Sequence, residues 1–214
     1  RTEHLADMQT YWGEISTQPE VTWGWRTFND YLETLRSACT SINVASLAGH
    51  AALRLAVMGF ANRPPTPPEL TAMSTLLEEA MQAGAFGLST GLVYPPGCFA
   101  GTDEIISLCK TVAANGGFYA SHIRGERETI LEAVAEAIQI GQEAGLPVQV
   151  SHNAPKFGAA LDARANLELV DIARQRGQDV TVDNDVHTDL APALVHALPQ
   201  RLQDLPDERI KTLL

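Results

Sequence analysis

The sequence predicts a parallel α/β fold on three observations. From about Ser41 onward, short apolar runs alternate with longer stretches of helical periodicity. The C-terminal ends of successive strand candidates fall at His50, Thr90, His122, His152 and Asp183, spaced by 40, 32, 30 and 31 residues. That is the period of a βαβ unit, with room for a helix in every crossover. The alternation also runs on without a shift in composition, so no second domain interrupts it. A barrel and an open doubly wound sheet both satisfy these observations. No GxGxxG or GxxxxGKS/T motif follows a strand candidate, which weighs against a nucleotide-binding open sheet.

The elements follow in chain order. Before Ser41 the chain concentrates aromatics, among them Trp12, Trp23, Trp25, Phe28 and Tyr31. Residues 1–40 therefore read as a helical capping or inserted segment, and 41–214 as the α/β domain. Residues 42–49 are a strand candidate closed by Gly49 and His50. A proline-rich loop at 63–68 leads into a helix over 67–83, whose Leu70, Met73, Leu77, Ala80 and Met81 recur at helical spacing with Glu78 and Glu79 outside. Residues 85–90 form the next strand, 91–101 a loop, and Thr102 is the expected cap of a helix with Asp103 and Glu104 in its first turn. Gly116 and Gly117 reset the chain into a strand over 118–122. The longest helix is expected over 126–144, ended by Gly145 and Pro147. Strands over 147–152 and 179–183 then flank a helix over 166–176 that stops at Gly177.

With 214 residues, 45% of them hydrophobic, the chain can bury about 70% of its unfolded surface around one core. Gly (16) and Pro (12) are at ordinary globular frequency, which excludes collagen-like or low-complexity chains. A net charge of −11 argues against nucleic acid or an anionic membrane as the main partner. Three cysteines, Cys39, Cys98 and Cys109, have no short repeated spacing. They predict neither a disulfide framework nor a CxxC zinc knuckle, and point to a reducing, cytoplasmic compartment. The most apolar stretch, 44–61, contains His50 and Arg54 and reads as core rather than membrane span. No signal peptide is visible. The first residue is Arg1 rather than Met, as expected of a processed product or a piece of a longer protein.

Two strands end alike, in Phe118-Tyr-Ala-Ser-His122 and Val148-Gln-Val-Ser-His152. Side chains alternate along a strand, so Phe118, Ala120 and His122 share one face, and Val148, Val150 and His152 share one face of the next. In a barrel both imidazoles would then emerge at the C-terminal rim, where barrel enzymes place their chemistry. Two neutral imidazoles on adjacent strands can share one zinc ion. A strand-end histidine equally suits plain hydrogen bonding, and two histidines alone name neither a third ligand nor a catalytic carboxylate.

The stretch Gly84-Ala-Phe-Gly-Leu-Ser-Thr-Gly-Leu-Val-Tyr-Pro-Pro-Gly97, followed by Tyr119-Ala-Ser-His-Ile-Arg-Gly-Glu126 and Val148-Gln-Val-Ser-His152, resembles the N-acyl-D-amino-acid deacylases (D-aminoacylases) of the metal-dependent amidohydrolase superfamily. The resemblance runs over about residues 21–183. It implies a (β/α)8 TIM-like barrel of which strands three to seven are present, and zinc-dependent hydrolysis of the amide bond of N-acyl-D-amino acids, with a small-molecule substrate as the partner. His122 and His152 match the histidines that end the fifth and sixth strands and bind the metal. The family also supplies a His-x-His pair, a ligand cysteine and a catalytic aspartate; none of the three is matched here. The isolated chain is accordingly expected to be inactive, its catalytic residue unassigned. Cys98 lies in the YPPG loop and is not at the ligand position.

Other positions follow from the same resemblance. Tyr94 matches a tyrosine near the substrate. The family lysine two residues after the sixth-strand histidine is replaced by Ala154, with Lys156 standing in as the partner of the substrate carboxylate. Arg124 and Glu126 match an Arg-x-Glu that supports the metal site or fixes its loop. The chain reads Asp183-Asn-Asp-Val-His187 where the family has an aromatic DxYPY segment. His50 is a minor candidate for facing the mouth, and His4, His187 and His196 carry no assignment. Two alternatives remain: a cyclic-amide hydrolase of the dihydroorotase or hydantoinase kind, disfavoured because the strand ending at Thr90 offers no lysine, and an inactive amidohydrolase-like scaffold.

Overall fold

A computed structural model describes residues 24–154 and 163–184, together with Ala6 and Met8. Lys156, His4, His187 and His196 lie outside the described residues, as do Trp12 and Trp23. The first described helix, α1 (Phe28–Ser37), opens with a capping box: Asp30 N–H donates to Thr27 Oγ1, and Thr27 N–H donates back to the Asp30 carboxylate. Tyr31 stacks obliquely on Trp25 and Phe28, with ring centroids 5.8 and 6.0 Å apart.

Then follow β1 (Ala48–Gly49), α2 (His50–Met58), α3 (Pro67–Ala83), β2 (Gly87–Gly91), a 3-10 turn (Gly97–Phe99), α4 (Thr102–Ala114), β3 (Phe118–His122), α5 (Ile130–Ala144), β4 (Val148–Ser151), α6 (Ala163–Gln175) and β5 (Val180–Val182). All strand pairs are parallel, in the order β1-β2-β3-β4-β5. Because the order never reverses, right-handed crossovers place every helix on one face of the sheet. A doubly wound sheet needs a reversal. The arrangement is thus that of a barrel wall, with α3, α4, α5 and α6 each packed on the next.

The register shows which face is which. Leu88, Tyr119, Val148 and Val180 lie side by side and are buried against the helices. Beyond them on this face, the hydroxyls of Thr90, Tyr119 and Ser121 bond to one another at 2.9–3.2 Å, which satisfies three buried polar groups. The opposite face carries Ser89, Ala120, Gln149 and Thr181 in one row and Gly91, His122 and Ser151 in the next.

Several expectations change. Only the last two residues of 42–49 pair as a strand, because β1 has a neighbour on one side alone among the described residues; Ile42 and Val44 are exposed. His50 begins a helix rather than ending a strand. Thr102 does not cap α4: Gly101 holds that position, and the Thr102 hydroxyl donates to Glu136 Oε1 at 2.7 Å. The helix expected from residue 126 begins at Ile130, because Glu126 turns toward His122. By contrast, α3 and β3 begin and end as expected, at Pro67 and Ala83 and at Phe118 and His122.

Candidate metal and substrate site

At the C-terminal end of the sheet, His122 is the last residue of β3 and sits on the face turned away from the helices. The His152 ring lies edge-on to it at 4.9 Å, and the Tyr94 ring is 5.0 Å away on another side. Glu126 Oε1 stands 3.4 Å from His122 Nε2, without hydrogen-bond geometry. His122 Nε2 is thereby a buried ring nitrogen with no hydrogen-bond partner. Among the described residues, no group of three His, Cys, Asp or Glu side chains is placed to hold a metal ion.

Alternation alone does not bring the two imidazoles together. The register pairs His122 with Ser151, so a regular strand would turn His152 toward the helices, with Val148 and Val150. Instead β4 stops at Ser151 and His152 takes a left-handed backbone conformation, φ +53°. The shared-face expectation for Val148, Val150 and His152 fails at that residue.

Tyr94 is carried by the loop between β2 and the 3-10 turn. That loop doubles back so closely that a Cβ on Gly97 would lie 2.5 Å from the Gly91 carbonyl oxygen, a contact that only glycine permits. Leu92 N–H donates to the His122 carbonyl at 3.0 Å and ties the loop to the end of β3. Arg124 reaches α5 rather than the imidazoles: Nε and Nη2 each approach the Glu136 carboxylate at 2.9 Å, and Nη1 donates to the Cys98 carbonyl at 3.3 Å. It clamps the Tyr94 loop onto α5. Burial, and then the negative charge of Glu126, push the Tyr94 phenol above its ordinary value, so it stays a neutral hydroxyl.

Behind this loop lies a polar cluster that sequence reasoning missed. Glu104 accepts from Arg54 Nη1 at 2.6 Å and pairs with His50 Nε2 at 2.8 Å, and all three residues are buried. A carboxylate only accepts, so Nε2 carries the proton, and Nδ1 is a bare lone pair with no partner. The readable signal is His50 and Arg54 four residues apart in an apolar helix, since a buried arginine demands an acid. Burial lowers the His50 imidazole below its ordinary value by more than Glu104 raises it. Burial raises Glu104, but the hydrogen bonds from His50 and Arg54 and the Arg54 charge together hold its carboxyl below the ordinary range.

Acidification is expected to destabilise the fold in two stages. His50 is neutral when folded, whereas the unfolded chain protonates it below 6.5. The unfolded state then binds more protons, and stability falls as pH drops below that value. Glu104 contributes stability that is complete above its unfolded value of 4.5 and is lost as pH falls through its depressed folded value. Urea midpoints at pH 7, 5.5 and 4 should decline stepwise, and His50→Gln should flatten the first step while keeping the second. A midpoint constant from pH 7 to 5.5 in the parent chain would contradict this.

No family model matches the chain. It is 44% identical over 160 residues to a D-aminoacylase of Alcaligenes xylosoxydans xylosoxydans, a match covering 73% of this chain and 32% of that one. It is 44% identical over 162 residues to an N-acyl-D-aspartate deacylase of the same organism, covering 75% and 32%. In structure it is similar to an N-acyl-D-glutamate deacylase of Bordetella bronchiseptica, solved with zinc and a phosphonate mimic of the reaction's tetrahedral intermediate. There the TM-score is 0.72 at 37% identity, over 75% of this chain and 34% of that one. The chain spans about a third of the length of the relatives it matches. The motif residues, the unreversed parallel sheet and these likenesses agree: over about three quarters of its length the chain is similar to N-acyl-D-amino-acid deacylases.

Proposed function

We propose that this chain is part of a zinc-dependent hydrolase that cleaves the amide bond of N-acyl-D-amino acids, with His122 and His152 as metal ligands. One observation carries the reading: two imidazoles from neighbouring strands meet at 4.9 Å at the C-terminal end of a barrel wall, and one presents a buried nitrogen without a hydrogen-bond partner. Such a nitrogen fits a metal, because leaving it dry and unpaired otherwise carries a penalty. The names of the relatives supply the substrate class and the zinc.

Zinc, when bound, lowers the pKa of its water to about 7 and polarises a carbonyl. The chain's own residues do the rest of what can be assigned. His122 and His152 offer ring nitrogens. Tyr94, held neutral beside His122, donates its hydroxyl proton in a hydrogen bond to the acyl carbonyl oxygen. Glu126 keeps His122 oriented, Arg124 fixes the Tyr94 loop, and Lys156 meets the substrate carboxylate. Residues 41–214 are the barrel part and residues 1–40 its cap, and the enzyme works in the cytoplasm. No helix among the described residues is long and apolar enough to cross a membrane.

The test is zinc titration of the 214-residue chain followed by the histidine ring resonances. The His122 and His152 signals should move together, and His122→Asn or His152→Asn should each weaken zinc binding by about 10-fold or more. Turnover of an N-acetyl-D-amino acid should be negligible in this chain, which carries two of the family's ligands. Zinc affinity unchanged in both variants would overturn the assignment.

A further inference from the structure

We infer that Asp183 is a positioning residue for His152: its carboxylate holds the left-handed backbone turn that swings the His152 imidazole off the helix-facing side of the sheet and onto His122. The inference rests on the reading of these two imidazoles as a metal pair, and extends it to a residue outside that pair.

The turn needs a support. A left-handed conformation is unfavourable for a residue with a Cβ, and it persists only where neighbouring contacts over-determine it. At His152 those contacts come from the end of β5. The His152 N–H donates to Asp183 Oδ1 at 2.8 Å, and the Asn153 N–H donates to the Asp183 carbonyl at 2.9 Å. The Asp183 N–H in turn donates to the Val150 carbonyl at 3.3 Å, so one residue grips the chain on both sides of the turn.

The carboxylate is itself held. Its Oδ2 accepts from Gln149 Nε2 at 2.7 Å, and the Gln149 amide oxygen accepts from the Thr181 hydroxyl. Thr181, Gln149, Asp183 and the His152 N–H therefore form one relay across β4 and β5. The Asp183 Oδ1 to His152 Nδ1 distance is 4.0 Å, too long for a hydrogen bond. The carboxylate acts on the backbone of His152 and leaves its ring to turn toward His122.

Asp183 is about half exposed, and water can replace much of what its bonds contribute to stability. Its loss should show in where His152 points. In the metal-free 214-residue chain, Asp183→Ala should abolish the nuclear Overhauser contact between the His122 and His152 rings while the Val150–Val182 cross-strand contact persists. Asp183→Asn, whose side-chain oxygen still accepts from the His152 N–H, should retain the ring contact. With Zn2+ alone as the probe, Asp183→Ala should weaken binding about 10-fold or more, and Asp183→Asn by less than about 2-fold. Should Asp183→Ala not fold, Asp183→Ser, with a hydroxyl too short to bridge both donors, carries the same expectation. A ring contact that survives in Asp183→Ala, or Asp183→Asn falling as far as Asp183→Ala, overturns the inference. If the parent chain binds no zinc yet Asp183→Ala still loses the ring contact, the metal reading fails and the positioning role stands.

Discussion

Replacing Glu104 by alanine should cost about 3–5 kcal/mol, the range found when one member of a buried ion pair is removed. Arg54 and His50 are both fully buried. Without the carboxylate, Arg54 keeps only the Ala61 and Arg63 carbonyls, at 3.1 and 2.9 Å. Those dipoles reach Nη2 alone, so Nη1 loses its acceptor, Nε stays unpaired, and a whole positive charge is left in a low-dielectric core. Since a domain's stability is about 5–15 kcal/mol, this single change removes a large share of it. The penalty belongs to the orphaned charge, so removing that charge too should relieve it. Arg54→Met with Glu104→Gln is expected to be more stable than Glu104→Ala alone, although it changes two buried residues. Urea denaturation followed by circular dichroism measures both. A Glu104→Ala loss below about 1 kcal/mol would mean that the pair is solvated in solution.

The same cluster shows what the sequence can and cannot disclose. Helix α3 and strand β3 were legible because their limits are written locally, in Pro67, Gly84 and the Gly116–Gly117 pair. The partner of Arg54 was not, because Glu104 lies 50 residues away and only the tertiary fold brings it there. Strand β1 was overread because an apolar run carries no mark of whether a neighbour exists on both sides. The His122–His152 pair was legible as residue types at a βαβ interval, but its geometry was not. Alternation assumes uniform extended backbone, and His152 reaches its neighbour by departing from it. That departure depends on Asp183, 31 residues further on, and so belongs to tertiary structure. Arg124 and Glu126 were named together, yet the fold separates them, Arg124 gripping α5 and Glu126 standing beside His122.

Gly87→Ala should be the most damaging small substitution in the sheet, at about 3 kcal/mol or more, beyond the usual cost of an extra methyl in a core. A Cβ there would lie 1.9 Å from the Phe118 carbonyl oxygen and 2.9 Å from the Phe118 carbonyl carbon and nitrogen. These are backbone atoms of β3, fixed by the pairing of Gly87 with Phe118, and no rotamer change moves them. The two strands must part at their N-terminal ends, and the displacement runs along the ladder to Gly91 and His122. Gly141→Ala is the informative contrast. Its Cβ would meet Val148 Cγ2 at 2.0 Å, a buried side chain. Alanine in a helix regains about 1 kcal/mol over glycine, so overpacking of about 1–3 kcal/mol leaves a smaller net loss. Val148→Ala should then be less destabilising in the Gly141→Ala background than in the parent, a favourable coupling in a double-mutant cycle. Phe118→Ala should give Gly87→Ala no such relief, because the clashing oxygen belongs to the main chain. Equal rescue in the two cycles would show that β2 and β3 are free to shift, and that the geometry around His122 does not depend on their close approach.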